Sequence, residues 1–213
     1  MTTGRYRLVI GDKNWSSWSL RPWLAMKVLK LDFDEKRIAL YGPGAKEEIL
    51  KHSPAGKVPC LIDGNVRVWD SLAILEYLAE KHPQLWPADA AERARARSVS
   101  AEMHSGFPNL RNHMSMNVRK RYPDKGRTAD VEVEIERIKK IWSEAKKPFL
   151  FGSFGAADAM YAPVVLRFRT YAVDLPAACR AYSDAVLALP ALREWIAAAE
   201  RERESLPQFD QYE

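Results

Sequence analysis

Two hydrophobic rhythms divide this chain. Up to about residue 82, short apolar runs alternate with helical stripes; beyond it the helical period stands alone. Tyr6–Gly11 reads as a buried strand, and Asp12–Ser17 as a polar loop. A helix follows with Ser17 or Ser19 near its cap, Pro22 in its first turn, and Leu20, Trp23, Leu24, Val28 and Leu31 on its apolar face. Phe33–Ile38 is a second strand signal. Tyr41-Gly42-Pro43-Gly44 breaks the pattern, Ala45–His52 reads as a short helix, and Ser53-Pro54-Ala55-Gly56 breaks it again. Asp63-Gly64-Asn65 between two apolar runs signals a hairpin, and after Trp69 the residues Leu72, Leu75 and Leu78 recur at helical spacing. The order is βαβαββα. Strands joined through helices imply parallel pairing, with the final hairpin adding an antiparallel edge.

His82-Pro83-Gln84-Leu85-Trp86-Pro87 reads as a linker, after which alanine, arginine and glutamate dominate. Helices are expected near 89–117, 130–146, 156–173, 178–188 and 190–204. The expected organisation is therefore α/β plus all-α: residues 1–82, a linker over 83–88, and a helical bundle over 89–213.

The chemistry concentrates at two helix starts. The first amides of a helix have no internal partner and sit at positive potential. Asp70-Ser71 at such a start suits a zwitterion, with Ser71 and the amides on a carboxylate and Asp70 on an ammonium. Pro59 belongs at a strand's first residue. A cis Val58-Pro59 bond would turn the N–H and C=O of Val58 outward, where they could pair with a peptide-like ligand. The other start is Asn14-Trp15-Ser16-Ser17-Trp18-Ser19, in the loop beyond a strand's carboxyl end, where ligands bind in open sheets. His52, His82, His104 and His113 are scattered and none neighbours these serines, so a Ser-His-Asp hydrolase is poorly supported. A hydroxyl beside a helix start is instead suited to holding a thiolate; helix capping is the structural alternative.

Composition narrows the class without naming the chemistry. The 213 residues hold 33 Lys and Arg against 28 Asp and Glu, a formal net charge of +5. The basic clusters are interspersed with acids and carry no nucleic-acid reading motif, so solvated helix faces are expected rather than a nucleic-acid surface. A mild positive field also suits a small anionic substrate. No apolar stretch approaches about 20 residues, the length a membrane span needs. Met1–Arg5 carries no signal-like apolar run. Two cysteines, Cys60 and Cys179, make no disulfide framework, and both are expected to be inert packing. A cytoplasmic setting and no metal follow as expectations.

These residues carry a family resemblance over nearly the whole chain. Lys57-Val58-Pro59 followed by Asp70-Ser71-Leu72-Ala73-Ile74-Leu75-Glu76-Tyr77-Leu78 resembles the glutathione-binding half of the cytosolic glutathione S-transferases. The resemblance implies a thioredoxin-like domain with a cis proline, a helical second domain, glutathione as substrate or cofactor, and a homodimer. It implies glutathione held by Lys57, Val58, Pro59, Asp70 and Ser71. Ser16-Ser17-Trp18-Ser19-Leu20-Arg21 is similar to the serine-serine-cysteine segment of the zeta class, which implies Ser16, with Ser17 beside it, at the thiol. Trp18 stands where that class has cysteine, which weakens chemistry that leans on cysteine. Phe154-Gly155-Ala156-Ala157-Asp158 resembles the family's buried helix cap, with Gly155 in place of Ser or Thr, and makes Asp158 structural.

The second substrate is expected between the loop of Ser16, with Trp18, and the helix containing Ala101 to Met116, where His104, Phe107, Arg111 and Met114 recur on one face. Arg111 and His104 there would favour an electrophile with a carboxylate; an apolar core stripe with charged flanks is the alternative. Arg21 either adds positive field, binds a carboxylate or packs in its helix. The leading expectation is a serine-type transferase attacking a small electrophile. A zeta-like maleylacetoacetate isomerase and a non-catalytic interaction protein, as some bacterial relatives on this fold are, stand as alternatives.

Overall fold

Val9 and Ile10 are fully buried at the end of β1 (Tyr6–Ile10), one of the two inner strands of the sheet. The computed structural model describes residues 6–210 and 212; Met1–Arg5, the stretch read above for a signal-like apolar run, lies outside them. β1 is followed by α1 (Ser17–Val28), β2 (Phe33–Arg37), α2 (Ala45–Leu50), β3 (Cys60–Asp63), β4 (Val66–Trp69) and α3 (Ser71–Lys81). The sheet order is β2-β1-β3-β4. β1 and β2 are parallel, as expected of strands joined by a helix.

The expectation of further parallel pairing fails at β3, which runs antiparallel to β1 with Leu8 opposite Leu61 and Val9 opposite Cys60. The connection from β2 carries only six helical residues between two Gly-Pro breaks. It crosses β1 and delivers β3 in the reverse direction, on the side of β1 away from β2. The Asp63–Val66 hairpin then pairs β3 with β4, Cys60 opposite Trp69. This register puts three exits at one end of the sheet: β1 into the serine loop, β4 into α3, and the Val58-Pro59 approach to β3.

A single 3-10 turn, Pro83–Leu85, leads to α4 (Ala90–Ser105), α5 (Pro108–His113), α6 (Ala129–Ser143), α7 (Ala156–Thr170), α8 (Ala177–Leu187) and α9 (Pro190–Arg201). The helix expected over 89–117 is two helices. Phe107 sits at φ 57°, in the left-handed region, between Gly106 and Pro108. Proline disfavours helical geometry in the residue before it, and a Cβ at Gly106 would stand 2.7 Å from the Glu102 carbonyl oxygen. The break turns Phe107 into the core, where it is buried with Met103, Leu110 and Met114.

α7 is the spine: almost every residue is buried, and it packs against α1, α4 and α8. Its start explains the missing Ser or Thr. A Cβ at Gly155 would come within 2.7 Å of the Leu85 carbonyl oxygen, so the helix start lies directly on the 3-10 turn. Asp158 accepts from the N–H groups of Gly155 (2.9 Å) and Leu150 (3.0 Å), the structural role expected of it. α1 is buried on nearly all sides, packing on α7, α3 and α9. Its one strongly basic interior residue, Arg21, is therefore enclosed. No helix among the described residues is long and apolar enough to cross a membrane.

Candidate active site

Ser16, and not the expected Ser17 or Ser19, stands at the N-cap position of α1; its side chain makes no capping bond to the helix amides, and its buried hydroxyl donates to Ser19 Oγ at 2.7 Å. Ser19, fully buried, also accepts the Gly11 N–H at 3.1 Å. A hydroxyl pair anchored on a backbone amide can reverse its donor sense. Ser19 can donate to Ser16, leaving the Ser16 proton for a ligand. Ser17 is held differently: Arg167 of α7 donates to its Oγ at 3.3 Å, with another guanidinium nitrogen on the Met114 carbonyl. An accepting Ser17 keeps its own proton to give.

At the second helix start, Ser71 is fully buried and its Oγ accepts from Arg21 Nη1 at 3.1 Å. Asp70 takes φ 73° and caps α3, its Oδ1 accepting from Leu72 N–H (2.9 Å) and Ala73 N–H (3.3 Å). Its Oδ2 lies 3.3 Å from His104 Nε2, so α4 reaches across to the α3 start. The Val58-Pro59 bond is cis, Pro59 is buried, Val58 half-buried and Lys57 exposed. Among the described residues, no backbone partner takes the N–H or C=O of Val58.

Trp18 joins the two halves. The Arg21 guanidinium lies 4.2 Å and that of Arg111 5.0 Å from its ring, and His104 meets it edge-on at 5.1 Å. Arg111 donates to the carbonyl oxygens of Met103 and His104, which holds it at the α4–α5 break. The structure thus gathers Trp18, His104 and Arg111, and leaves Phe107 out of the cleft. Met114, expected on the same face, is core as well.

Electrostatics give the cluster its direction. Arg21 is 2% exposed, and its Nε is buried without a partner, as is that of Arg111. Burial first, then the charges of Arg111 and Arg167, pushes the Arg21 guanidinium down to about 9; Asp70 opposes this. Burial and Arg111 push Arg167 down to about 10, and burial lowers Arg111. Three guanidinium groups thus act on one another, with Asp70 beside Arg21 and Glu134 beside Arg111. Such an arrangement repels itself and costs desolvation, and an anion brought between the groups relieves both. Both cysteines are buried and their thiols pushed up by burial, which makes them poor nucleophiles. Among the described residues, no group of three or more His, Cys, Asp or Glu could hold a metal.

Arg167 escaped the sequence reading. Its signal was a charge inside an otherwise uncharged helical run, Ala159–Phe168, since arginine is rarely fully buried without a partner.

The family model for the glutathione S-transferase N-terminal domain matches residues 15–81, and that for the C-terminal domain matches 132–198. A maleylacetoacetate isomerase of Rattus norvegicus is 31% identical over 169 residues, covering 75% of this chain and 76% of that one. The chain belongs to the glutathione S-transferase family. A probable maleylacetoacetate isomerase of Caenorhabditis elegans is 41% identical over 99 residues, 45% of each chain, so the match spans about half that relative's length. A glutathione transferase homolog from Burkholderia, solved with bound glutathione, superposes with a TM-score of 0.73 at 21% identity, covering 93% of this chain and 100% of that one. The transferase fold is therefore shared. The serine loop and the Asp70-Ser71 start lie inside the first matched segment. His104, Phe107 and Arg111 lie between the two matched segments.

Proposed function

We propose that this cleft binds glutathione and presents its sulfur as a thiolate to a small electrophile. The observation that carries the reading is the buried Arg21–Ser71 contact at the start of α3. A hydroxyl, the positive end of α3 and a guanidinium with an unpartnered Nε lie together, which suits the carboxylate of the γ-glutamyl end. Val58 offers its backbone to the cysteinyl portion, with Pro59 setting the turn and Lys57 exposed beside it. Asp70 faces the ammonium. The names of the relatives and the glutathione in the Burkholderia homolog support the choice of ligand.

Ser16, assisted by Ser17, holds the sulfur. A free thiol has a pKa of about 8.5, and lowering it two units requires about 2.7 kcal/mol. A hydrogen bond to a charged group contributes ~1.5–3 kcal/mol and the helix start up to about 1 kcal/mol. Two hydroxyls at the start of α1 therefore suffice without a general base. The electrophile lies against Trp18, with Arg111 and His104 beside it. Catalysis is thiol activation plus proximity.

A second reading, glutathione-dependent cis-trans isomerisation, is favoured by the relatives named maleylacetoacetate isomerase. Turnover of maleylacetoacetate without net loss of glutathione selects it; consumption of glutathione with a chloronitrobenzene selects transfer. A reducing cytoplasm fits both, since it supplies glutathione and keeps the two thiols free. Two copies associate in this reading. Trp69 and Val66 on the edge strand β4, 46% and 47% exposed, offer apolar surface for a partner copy.

The test is titration calorimetry with glutathione, paired with Ser16→Ala. Uptake at sub-millimolar to millimolar concentration is expected. S16A should retain binding within about threefold while kcat falls ten- to hundredfold, the span of the hydrogen bond removed. An S16A enzyme of unchanged kcat would transfer the role to Ser17 or remove it.

A further inference from the structure

After α9 the chain turns back across the serine loop. Glu202 sets both carboxylate oxygens on that loop, accepting the Lys13 N–H at 2.7 Å and the Asn14 N–H at 2.9 Å. Successive N–H groups of a turn form a concave seat for an anion, and here the anion belongs to the protein. The next two amides, of Trp15 and Ser16, point inward to the Asp12 carbonyl at 3.3 and 2.8 Å. Residues 13–16 are thus one turn, gripped outside by Glu202 and inside by Asp12, and it ends on the hydroxyl that meets Ser19.

Other contacts hold the same turn from the same end of the chain. Trp195 of α9 donates to the Lys13 carbonyl at 2.9 Å. Arg119 donates its side chain to the carbonyls of Glu202 and Glu204 and its N–H to Asn14 Oδ1 at 2.9 Å. Phe209 stacks on Trp15 at 6.3 Å and packs on Tyr41 at 5.6 Å. Asp210 fastens the segment, accepting from Asn117 at 2.7 Å and from Ser205 at 3.0 Å. Glu202 is nearly enclosed, with Arg37 at 3.0 Å as its counter-charge.

We propose that Glu202 is a positioning residue for the reaction. Seated on the amides of Lys13 and Asn14, it fixes the backbone from which Ser16 reaches the glutathione sulfur. The C-terminal strap is then part of the thiol-activating site although it supplies no group to the ligand. This inference rests on the serine reading above and extends it to the other end of the chain.

The experiment follows the thiolate absorbance of glutathione bound to the full chain as pH is varied, in the wild type and in Glu202→Gln. The amide keeps the size but turns one acceptor into a donor facing an N–H. Glutathione affinity should stay within about twofold, because Arg21, Asp70 and Ser71 are untouched. The bound thiol's midpoint should rise by about one pH unit, and kcat with a chloronitrobenzene should fall about threefold at pH 7, approaching about tenfold below the wild-type midpoint, at unchanged KM for glutathione. Lys27→Ala, which cuts the exposed Lys27–Glu194 pair between α1 and α9, should leave the midpoint unmoved. A wild-type-like midpoint and kcat in E202Q, whatever its melting temperature, would overturn the proposal and leave the serine reading intact. A wild type that binds glutathione without a depressed midpoint would overturn both. Should E202Q fail to fold, Glu202→Asp keeps the charge and withdraws both oxygens by one methylene; its midpoint must also rise, and an unshifted one overturns the proposal.

Discussion

Arg21 shows how a single side chain can be costly to the fold and useful to the ligand. It is a fully enclosed cation with one hydroxyl partner and two like charges nearby. Replacing a buried ion by an apolar group of similar volume is often neutral or stabilising. Arg21→Met should therefore leave the urea midpoint unchanged or raise it, while glutathione affinity by calorimetry falls about tenfold or more, the equivalent of ~1.5–3 kcal/mol for a charged hydrogen bond. A variant that loses stability and keeps its affinity would show that the guanidinium serves packing. The sequence placed Arg21 on the right helix and left its role open. The residue's burial depends on α1 being covered on every side, and neighbours distant in sequence do that. Ser71 and Asp70 were legible because each rests on a local signal, a cap and a helix start; the cis Val58-Pro59 bond came from the family resemblance, since a proline before a strand does not by itself fix the isomer. Arg167 and Glu202 were not, because their partners Ser17 and Lys13 lie at the far end of the chain.

At the scale of elements, the start of α7 carries its own pH dependence. Burial pushes the Asp158 carboxyl up to about 7 from an ordinary 3.8, against two backbone N–H donors. Between those values the folded chain holds a proton that the unfolded chain has released. The stabilisation is complete below about pH 4 and is lost as pH rises through 7. The urea midpoint should therefore fall between pH 5 and 8 in the wild type, and this slope should flatten in Asp158→Asn; an equal slope in both would assign it to other groups. The element boundaries were largely readable from the hydrophobic period. The exception, the α4–α5 break, was written in Gly106-Phe107-Pro108 but outweighed by the three- and four-residue recurrence of His104, Phe107 and Arg111. That recurrence matched one helix, whereas the break sends Phe107 inward and keeps only His104 and Arg111 against Trp18. The antiparallel β3 was missed because pairing direction depends on where a connection lands, which the pattern of a short helix does not encode.

For the whole molecule, the two halves meet through few but specific contacts at the cleft: Asp70 to His104, Arg167 to Ser17, and Trp18 among Arg21, Arg111 and His104. Each joins the sheet-bearing half to the helical half, so the site exists only when both are packed. The apolar edge of β4 bears on assembly. If it is covered by a second copy, Trp69→Glu should move the protein from dimer to monomer by light scattering with its secondary structure kept; a wild type already monomeric at tens of micromolar would remove that proposal.

The central claim, that glutathione lies in this cleft with its sulfur ionised, is tested most directly by titrating the ultraviolet thiolate band of the bound tripeptide from pH 5 to 10. The account predicts a midpoint about two units below that of a free thiol near 8.5, and a return toward the free value when Ser16 is replaced by alanine. Absence of binding at millimolar glutathione, or a bound midpoint equal to the free one, would contradict it.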